Sequence, residues 1–377
     1  MDQTDLRALA QQFMQNIVQV KKLENIWIEH LGPKAKVLAE ACAAKVLEIG
    51  GFPFIVDSGS TALAKEISGL SADGILSRGS EKLSQMKRMQ GYIRIKDDAD
   101  EAKNTLPRET LQLYQLAMSE MIDYRVNNTR WLVVAAPTEE FAADLGMDFD
   151  EFKGFYRNVC LLDYSKMADA AKPLKRIMAE GKSVRIVSPN QETDLTFSID
   201  AIDAVSCTGK RNIPDGECFT APIKESVNGS ILFGPSRYKW QYFSFIKLNF
   251  DNGRIVTAES ENDERTSVLN AMLNIDDGAR FVGEFAISFN PYVRHPTGNI
   301  LFDEKIDGSI HMAMGKCYDQ APNGVVSANH WDMVQIHRPE YGGGEIWIDN
   351  QLIRKDGVFV SPELKLLNPE NLRALTS

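Results

Sequence analysis

The chain has 377 residues, of which 44% are hydrophobic and 25% charged, and its formal net charge is -10 at pH 7. This length and composition predict a two-domain globular protein with a substantial apolar core. The negative charge, without a Lys/Arg cluster, argues against nucleic acid as a partner, because a phosphate backbone would be repelled. No apolar stretch approaches the roughly 18 residues that span a bilayer, so we expect no membrane partner.

The N-terminus and the cysteines indicate the cellular compartment. Residues 1–20 lack the basic and apolar regions of a secretory signal, and Leu6, Leu9 and Phe13 follow helical spacing instead. The five cysteines are scattered and never form a CxxC pair, which favours reduced, packed thiols over a disulfide framework. We therefore expect a cytoplasmic protein.

The first half of the chain alternates strand and helix patterns. We predict strands at Ile26–Ile28, Phe52–Val56, Tyr92–Ile95, Trp131–Ala136 and Val184–Val187. We predict helices from Pro33 to Gly50, from about Pro107 to Arg125, and over Glu139–Leu145, Phe149–Cys160 and Pro173–Glu180. Strands separated by helices favour βαβ units, and therefore a mostly parallel sheet covered by helices.

After about residue 193 strand patterns follow one another with few helices between them. The predicted strands are Leu195–Ile199, Cys218–Ala221, Ile231–Phe233, Tyr242–Phe250, Ile255–Glu259, Phe285–Phe289, Ile346–Ile348 and Val358–Val360. Turn signals such as Asn228-Gly229 and Asp251-Asn252-Gly253 separate several of them. We therefore predict an α/β N-terminal domain over residues 1–195 and a β-rich α+β C-terminal domain over residues 196–377.

The histidines of the second half are the first candidates for a functional site. Four of the five lie between residues 295 and 337, and no HExxH, GxSxG or phosphate-binding loop is present. His330 and Asp332 would share one face of a strand, although an ordinary hydrogen-bonded pair has the same spacing. His311 and Tyr318 would share a face if their segment were helical. A buried structural histidine is the alternative for His311.

Two glutamates are candidates because of their apolar surroundings. Glu284 lies within the apolar run Phe281–Ile287, where an unpaired carboxylate costs on the order of several kcal/mol, so it needs a cation. A salt bridge to Arg or Lys explains this glutamate as well as a metal ion does. Glu217 follows the turn residues Pro214–Gly216 at the start of an apolar strand, where an exposed turn glutamate is the alternative.

As a set, these residues provide the oxygen and nitrogen ligands that divalent cations prefer. Two such ions share a bridging carboxylate, polarise a peptide carbonyl and lower the pKa of water towards about 7. A single ion normally takes only three protein ligands, which would leave acidic residues over. One remaining glutamate would suit the general base that accepts the proton of the water.

Ordered motifs through most of the chain contain these candidates. They are Arg130–Val134, Ala142–Met147, Thr193–Phe197, Asn212–Glu217 with Ala221-Pro222, Gly283-Glu284, Asn299 with Phe302–Glu304, His311 with Gly315 and Tyr318, and His330 with Asp332. In this order and spacing they resemble the thermophilic metalloaminopeptidase family that includes aminopeptidase T and aminopeptidase S. Trp331 departs from the family pattern, which has a small or aliphatic residue at that place.

The resemblance implies a homodimer that releases N-terminal amino acids from peptide substrates. It implies two divalent metal ions in the C-terminal domain, and the mixed ligands suit zinc, cobalt, manganese or magnesium. The implied metal ligands are Glu217, Glu284, His311, His330 and Asp332. Among the catalytic roles, we assign activation of water to Glu284, and the resemblance makes Tyr318 a ligand or a transition-state donor.

Two other functions fit the same residues. A different metal-dependent hydrolase could act on a small amide or an ester, and only an aminopeptidase must bind a free α-amino group. A non-catalytic binding protein could also have kept the fold. The complete ligand set argues against the second alternative, because carboxylates without a function are costly to bury.

Overall fold

A computed structural model describes residues 1–101, 105–239 and 241–376, and they group into two compact units. Unit 1 comprises Met1–Leu161 with Gly209–Ile213, and unit 2 comprises Leu162–Thr208 with Pro214–Ser377. The predicted domain boundary after residue 195 stays a prediction, because a compact unit is defined by its contacts and a domain by its independent folding.

Helices are frequent up to residue 180 and sparse after it, as the sequence predicts. The α-helices are α1 (Gln3–Gln11), α2 (Gly32–Ile49), α3 (Ser60–Ile67), α4 (Ala72–Met86), α5 (Asp98–Glu101), α6 (Arg108–Asn128), α7 (Glu139–Asp144), α8 (Phe149–Cys160), α9 (Tyr164–Glu180), α10 (Asp263–Leu273), α11 (Ile300–Asp303) and α12 (Pro369–Thr376). A π-helical segment, Gln12–Ile17, continues α1, and 3-10 turns lie at Pro189–Gln191, Pro339–Tyr341 and Pro362–Leu367. None of the helices in the described residues is long and apolar enough to cross a bilayer.

The strands follow the opposite trend and dominate the second half. They are β1 (Asn25–His30), β2 (Phe52–Asp57), β3 (Gly91–Lys96), β4 (Arg130–Ala135), β5 (Ser183–Ser188), β6 (Thr193–Ser198), β7 (Val205–Cys207), β8 (Asn212–Ile213), β9 (Glu217–Thr220), β10 (Asn228–Phe233), β11 (Ser236–Tyr238), β12 (Gln241–Phe243), β13 (Ile246–Asp251), β14 (Arg254–Glu259), β15 (Val282–Ser288), β16 (Ser309–Gly315), β17 (His330–Ile336), β18 (Glu345–Ile348), β19 (Gln351–Lys355) and β20 (Val358–Phe359).

Unit 1 contains a five-stranded sheet in the order β2-β1-β3-β4-β8, and every neighbouring pair is parallel. The predicted parallel sheet with helices is therefore confirmed. The crossover helix α2 illustrates the local signals, because Pro33 stands in its first turn and Gly50 ends it in the left-handed region, at φ 90°.

Some predicted boundaries in this part of the chain are wrong. Helix α9 begins at Tyr164 rather than at Pro173, because the Asp163 carboxylate accepts hydrogen bonds from the backbone N–H groups of Ser165 and Lys166. Pro173 consequently lies inside this helix. The strand predicted over Val184–Val187 is present as β5, but it pairs antiparallel with β6 and β18 instead of joining the parallel sheet.

Unit 2 is built from antiparallel sheets, which confirms the predicted β-rich half. An eight-stranded sheet has the order β14-β13-β10-β6-β5-β18-β19-β20, a five-stranded sheet the order β17-β16-β15-β9-β7, and β11 pairs with β12. Phe285 on one face of the five-stranded sheet packs edge-to-face against Phe197 of β6, at a ring-centroid distance of 5.0 Å. Asn228-Gly229, predicted as a turn, begins strand β10 instead.

Trp331 extends this core beneath β17. Its ring stacks on Tyr238 at 4.9 Å with an interplanar angle of 10° and lies 5.5 Å from the Phe243 ring. Its indole Nε1 donates to Ser236 Oγ at 3.0 Å. Because side chains alternate along a strand, this ring lies on the face opposite its two neighbours in the chain. The large indole of Trp331, which departs from the family pattern, therefore fills the core.

We predict that Trp331→Ala lowers the free energy of unfolding of unit 2 by about 3–5 kcal/mol, because it empties a fully buried position and removes the stacking partner of Tyr238. Urea unfolding followed by fluorescence measures the change. Trp347→Ala is the matched control, since that indole is only half-buried and donates to Glu345. Equal losses for the two variants would contradict the prediction.

Candidate metal centre

The five predicted ligands lie on four neighbouring strands of the five-stranded sheet. These residues are Glu217 on β9, Glu284 on β15, His311 on β16, and His330 and Asp332 on β17. All five side chains are buried or half-buried. Segments that are far apart in the sequence therefore converge on one sheet, and each strand contributes at least one metal-binding group.

The register of the strands brings these side chains to one face. Ala313 pairs with Glu284 on one side and with Asp332 on the other, and Ala286 pairs with His311. Directly paired residues of antiparallel strands point to the same side of the sheet. The two alanines separate the larger groups, so the polar side chains extend over small residues and have space between them.

Two glycines permit this arrangement of the backbone. Gly283 forms a bulge between Val282 and Glu284, and a Cβ atom there would lie 2.2 Å from the carbonyl oxygen of Gly315. Gly216 ends the turn before Glu217 with φ 131°, a conformation that side chains rarely adopt. Both glycines immediately precede a candidate ligand, so they determine where the chain directs its carboxylate.

The facing atoms of the ligands form two adjoining groups that share Glu284. His311 Nε2 lies 3.6 Å from Glu217 Oε2 and 3.5 Å from Glu284 Oε1. His330 Nε2 lies 3.4 Å from both Glu284 Oε2 and Asp332 Oδ1. Each oxygen of Glu284 therefore faces a different imidazole, so this carboxylate belongs to both groups.

Backbone carbonyl groups orient both imidazoles. His311 Nδ1 lies 3.0 Å from the carbonyl oxygen of Glu304, and His330 Nδ1 lies 2.8 Å from that of Lys316. Because a carbonyl oxygen only accepts, each Nδ1 carries the hydrogen, and in the neutral ring Nε2 keeps its lone pair. This second contact is typical of histidines that bind metals, since it fixes the tautomer and the ring orientation.

Three of the facing atoms are buried and form no hydrogen bond with the described residues: Glu217 Oε2, His330 Nε2 and Asp332 Oδ1. Leaving such atoms unsatisfied costs about 1–3 kcal/mol each, and more for charged groups. Neighbouring ligands of a tetrahedral ion with bonds of about 2.1 Å are about 3.4 Å apart, close to the separations between these groups. The residues therefore fit a bound divalent cation.

The electrostatics of the chain also favour positive charge at this place. Burial lowers the pKa of a histidine, but Glu217 and Glu284 outweigh it and raise the pKa of His311 to about 9. For His330, Asp332 similarly outweighs burial and raises the pKa to about 12. Burial would raise the pKa of Glu284, yet the two imidazoles lower it below its ordinary value. An added cation would replace the protons that these histidines otherwise retain.

Tyr318 lies beside the site, but not for the predicted reason. His311 is on strand β16 and Tyr318 follows in a loop, so the helical relation between them is wrong. The phenol ring instead lies 4.7 Å from the His330 ring and 5.5 Å from the Phe219 ring, measured between centroids. The loop after β16 therefore brings a hydroxyl-bearing side chain to the edge of the site.

Two further charged residues lie in the site without a predicted role. One atom each of Glu304, His311 and Asp332 lie within 4.8 Å of one another, so Glu304 can also hold a cation. Burial raises the pKa of Glu304 to about 8, against the effect of the adjacent Lys305. Lys305 is itself buried. In the sequence, Glu304-Lys305 resembles the exposed end of a helix. Only the neighbouring apolar residues indicate that the pair is buried.

The other two histidines of the region stand apart from this group. His295 Nδ1 lies 3.1 Å from the Tyr341 hydroxyl. His337 is fully buried, and its Nε2 lies 2.8 Å from Gln335 Oε1. Neither belongs to a described cluster of metal-binding groups. A solvated or structural role, the interpretation that the sequence favours for both, agrees with these contacts.

The fold and the cluster define a two-unit α/β protein whose β-rich unit carries a candidate metal centre. The model of the thermophilic metalloprotease (M29) family matches residues 2–339, which is most of the chain. The chain therefore belongs to the thermophilic metalloprotease family.

The curated relatives match over shorter segments. The chain is 33% identical to aminopeptidase 2 of Geobacillus stearothermophilus over 141 residues, which are 32% of this chain and 32% of that protein. It is 33% identical to aminopeptidase T of Thermus aquaticus over 125 residues, 32% of this chain and 30% of that protein. The matched segment spans about a third of the length of these relatives.

Two solved structures share the fold over nearly the whole chain. AmpT from Thermus thermophilus superposes with a TM-score of 0.76 at 18% identity, over 95% of this chain and 99% of that one. The 2,5-dihydroxypyridine dioxygenase from Pseudomonas putida KT2440 superposes with a TM-score of 0.64 at 12% identity, over 97% of this chain and 99% of that one. At these identities the likeness concerns the fold alone.

We predict that His337 makes stability depend on pH. Burial, and secondarily the charge of Arg354, lower the pKa of this imidazole well below its ordinary value of 6.5. At this residue the folded chain thus binds fewer protons than the unfolded chain below about pH 6.5, so the contribution of His337 to stability decreases as the pH is lowered, by up to about 1.4 kcal/mol per unit. In urea unfolding from pH 7 to 5, the unsubstituted chain should lose stability relative to His337→Gln as the pH is lowered; parallel curves for both proteins would refute the prediction.

Proposed function

We propose that the chain is a metal-dependent aminopeptidase that releases N-terminal amino acids from peptides by attack of a metal-activated water. The observation that carries the proposal is the convergence of Glu217, Glu284, His311, His330 and Asp332, where three buried atoms lack hydrogen bonds within the described part of the chain. The relatives named aminopeptidase 2 and aminopeptidase T support this substrate class.

We further propose two divalent ions, one in each group of ligands. Glu217, Glu284 and His311 would hold the first, and Glu284, His330 and Asp332 the second. Mixed carboxylate and imidazole ligands suit zinc, cobalt, manganese or magnesium. Such ions supply a Lewis acid that polarises the peptide carbonyl and lowers the pKa of water towards about 7.

The side chains of the site would transfer the proton and stabilise the transition state. Glu284 would be shared by the two groups of ligands, and it is the candidate for the base that would accept the proton of the attacking water and pass it to the leaving amine. Tyr318, beside His330, donates a hydrogen bond to the oxygen on which negative charge develops in the transition state. The apolar core beneath the sheet holds these strands rigid, so the groups keep their positions during the reaction.

We also propose a cytoplasmic homodimer, as the resemblance to the family implies. Sedimentation velocity of the purified chain tests the second part directly, because a dimer sediments with the mass of two chains. Cell fractionation tests the first part. Neither property is needed for the chemistry of the ligands, since all five belong to unit 2 of a single chain.

We predict that the chain loaded with cobalt, zinc or manganese hydrolyses aminoacyl chromogenic amides and does not hydrolyse their N-acetylated forms. An aminopeptidase must recognise the free α-amino group, whereas a general amidase or esterase would accept both forms. A chelator should abolish activity, and Glu284→Gln should lose both metal and activity because an amide cannot bridge two cations. Equal rates on free and acetylated substrates would favour the other hydrolase, and failure to bind any divalent ion would favour a binding protein.

We predict that Tyr318→Phe lowers kcat by about 10²–10³-fold while metal content and KM change little, because it removes one donor to the transition-state oxygen. Metal analysis with steady-state kinetics makes the test. Tyr124→Phe is the control, since this tyrosine lies on α6 in unit 1, whereas all five proposed ligands belong to unit 2. Loss of metal from the Tyr318 variant would make the phenol a ligand instead.

A further inference from the structure

Lys305 is a buried cation at the side of the proposed metal site. Its side chain is 2% exposed, and its Nζ lies 2.5 Å from Glu217 Oε1 and 3.0 Å from Glu304 Oε1. Asp215 Oδ1 is 3.8 Å away. A lysine at such depth is rare unless it is paired, and here three carboxylates surround it. The charge of this residue therefore acts on the site rather than on solvent.

The two oxygens of Glu217 have different neighbours. Oε1 lies 2.5 Å from Lys305 Nζ, whereas Oε2 faces His311 Nε2 at 3.6 Å and has no hydrogen bond among residues 1–101, 105–239 and 241–376. The ammonium group thus occupies one oxygen and leaves the other directed at the proposed ion. Without it, the carboxylate could rotate or offer both oxygens.

The backbone keeps Lys305 in register with Glu217. Asn290, which is fully buried, donates its backbone N–H to the carbonyl oxygen of Lys305 at 3.1 Å. The side-chain amide of the same asparagine donates to the carbonyl oxygen of Asp215 at 2.7 Å. One residue therefore ties together the segment that carries the lysine and the turn that precedes the glutamate, so the distance between their side chains is constrained.

We propose that Lys305 is a positioning residue that holds Glu217 as a single-oxygen ligand, an inference that rests on the proposed metal-dependent function. A positioning role and a purely electrostatic role predict opposite effects. An ammonium group repels a nearby divalent cation, so its removal alone would strengthen metal binding. Loss of an outer partner that orients a ligand instead weakens metal binding by about 10–100-fold.

The test is the affinity of the metal-free chain for Co²⁺, measured by calorimetry in Lys305→Met. We expect binding at the group with Glu217 to weaken by about 10–100-fold, with a smaller change at the group with His330 and Asp332. The visible spectrum of bound Co²⁺ should change, and kcat should fall with KM little altered. Lys355→Met is the control, because this lysine pairs with Glu345 at 2.8 Å but is 53% exposed.

The possible outcomes distinguish a failure of the proposed function from a failure of the positioning role of Lys305. If the unsubstituted chain binds no divalent ion, the proposed function itself fails. If it binds Co²⁺ and Lys305→Met binds as tightly or more tightly, only the positioning role is overturned. Should the methionine variant not fold, Lys305→Gln makes the same test, because its polar amide suits the buried position but ends one bond short of the lysine nitrogen that contacts Glu217. That variant should bind Co²⁺ more weakly than the unsubstituted chain, and unchanged affinity would overturn the proposal.

Discussion

The burial of like charges on one face of a sheet is the constraint on which the rest of unit 2 depends. Glu217 and Asp332 are buried or half-buried, and each has an oxygen within 4.8 Å of one of Glu284, while Glu304 adds a further carboxylate near Asp332. Each buried unpaired charge costs several kcal/mol in effect, so the group is tolerated only with compensating cations. Lys305 supplies one positive charge among them. The remaining negative charge requires protons on the histidines or bound metal ions.

The antiparallel sheet is what makes such a group possible. Successive strands are hydrogen-bonded side by side, so one side chain from each of four strands reaches the same region without any loop having to fold over it. The opposite face carries Trp331 and Phe285 into an aromatic core. The same alternation therefore produces the core and the polar site, and the packing of the first holds the geometry of the second.

The sequence predicted the features that depend on periodic patterns, but few of those that depend on single residues placed by distant contacts. Alternating strands and helices predicted the parallel sheet of unit 1. The prediction that His330 and Asp332 share one face of a strand was also right, because the alternation of side chains along a strand is a local property. Tyr318 could not be placed by helical spacing, since β16 and its loop are set by pairing with distant strands. Lys305 could not be found at all, because its burial comes from contacts with Glu217 and Asp215, which no local pattern encodes.

Fold alone does not decide the chemistry of this architecture. It superposes on AmpT and also, at 12% identity, on a dioxygenase, and this likeness of the backbone leaves the reaction of the chain open. The side chains of the candidate metal centre limit the reactions that the chain can catalyse. A carboxylate facing two imidazoles, as Glu284 does, suits a pair of ions that activate water. In the proposed mechanism, Lys305 would determine how firmly Glu217 is held, and Tyr318 would stabilise the charge that develops in the transition state.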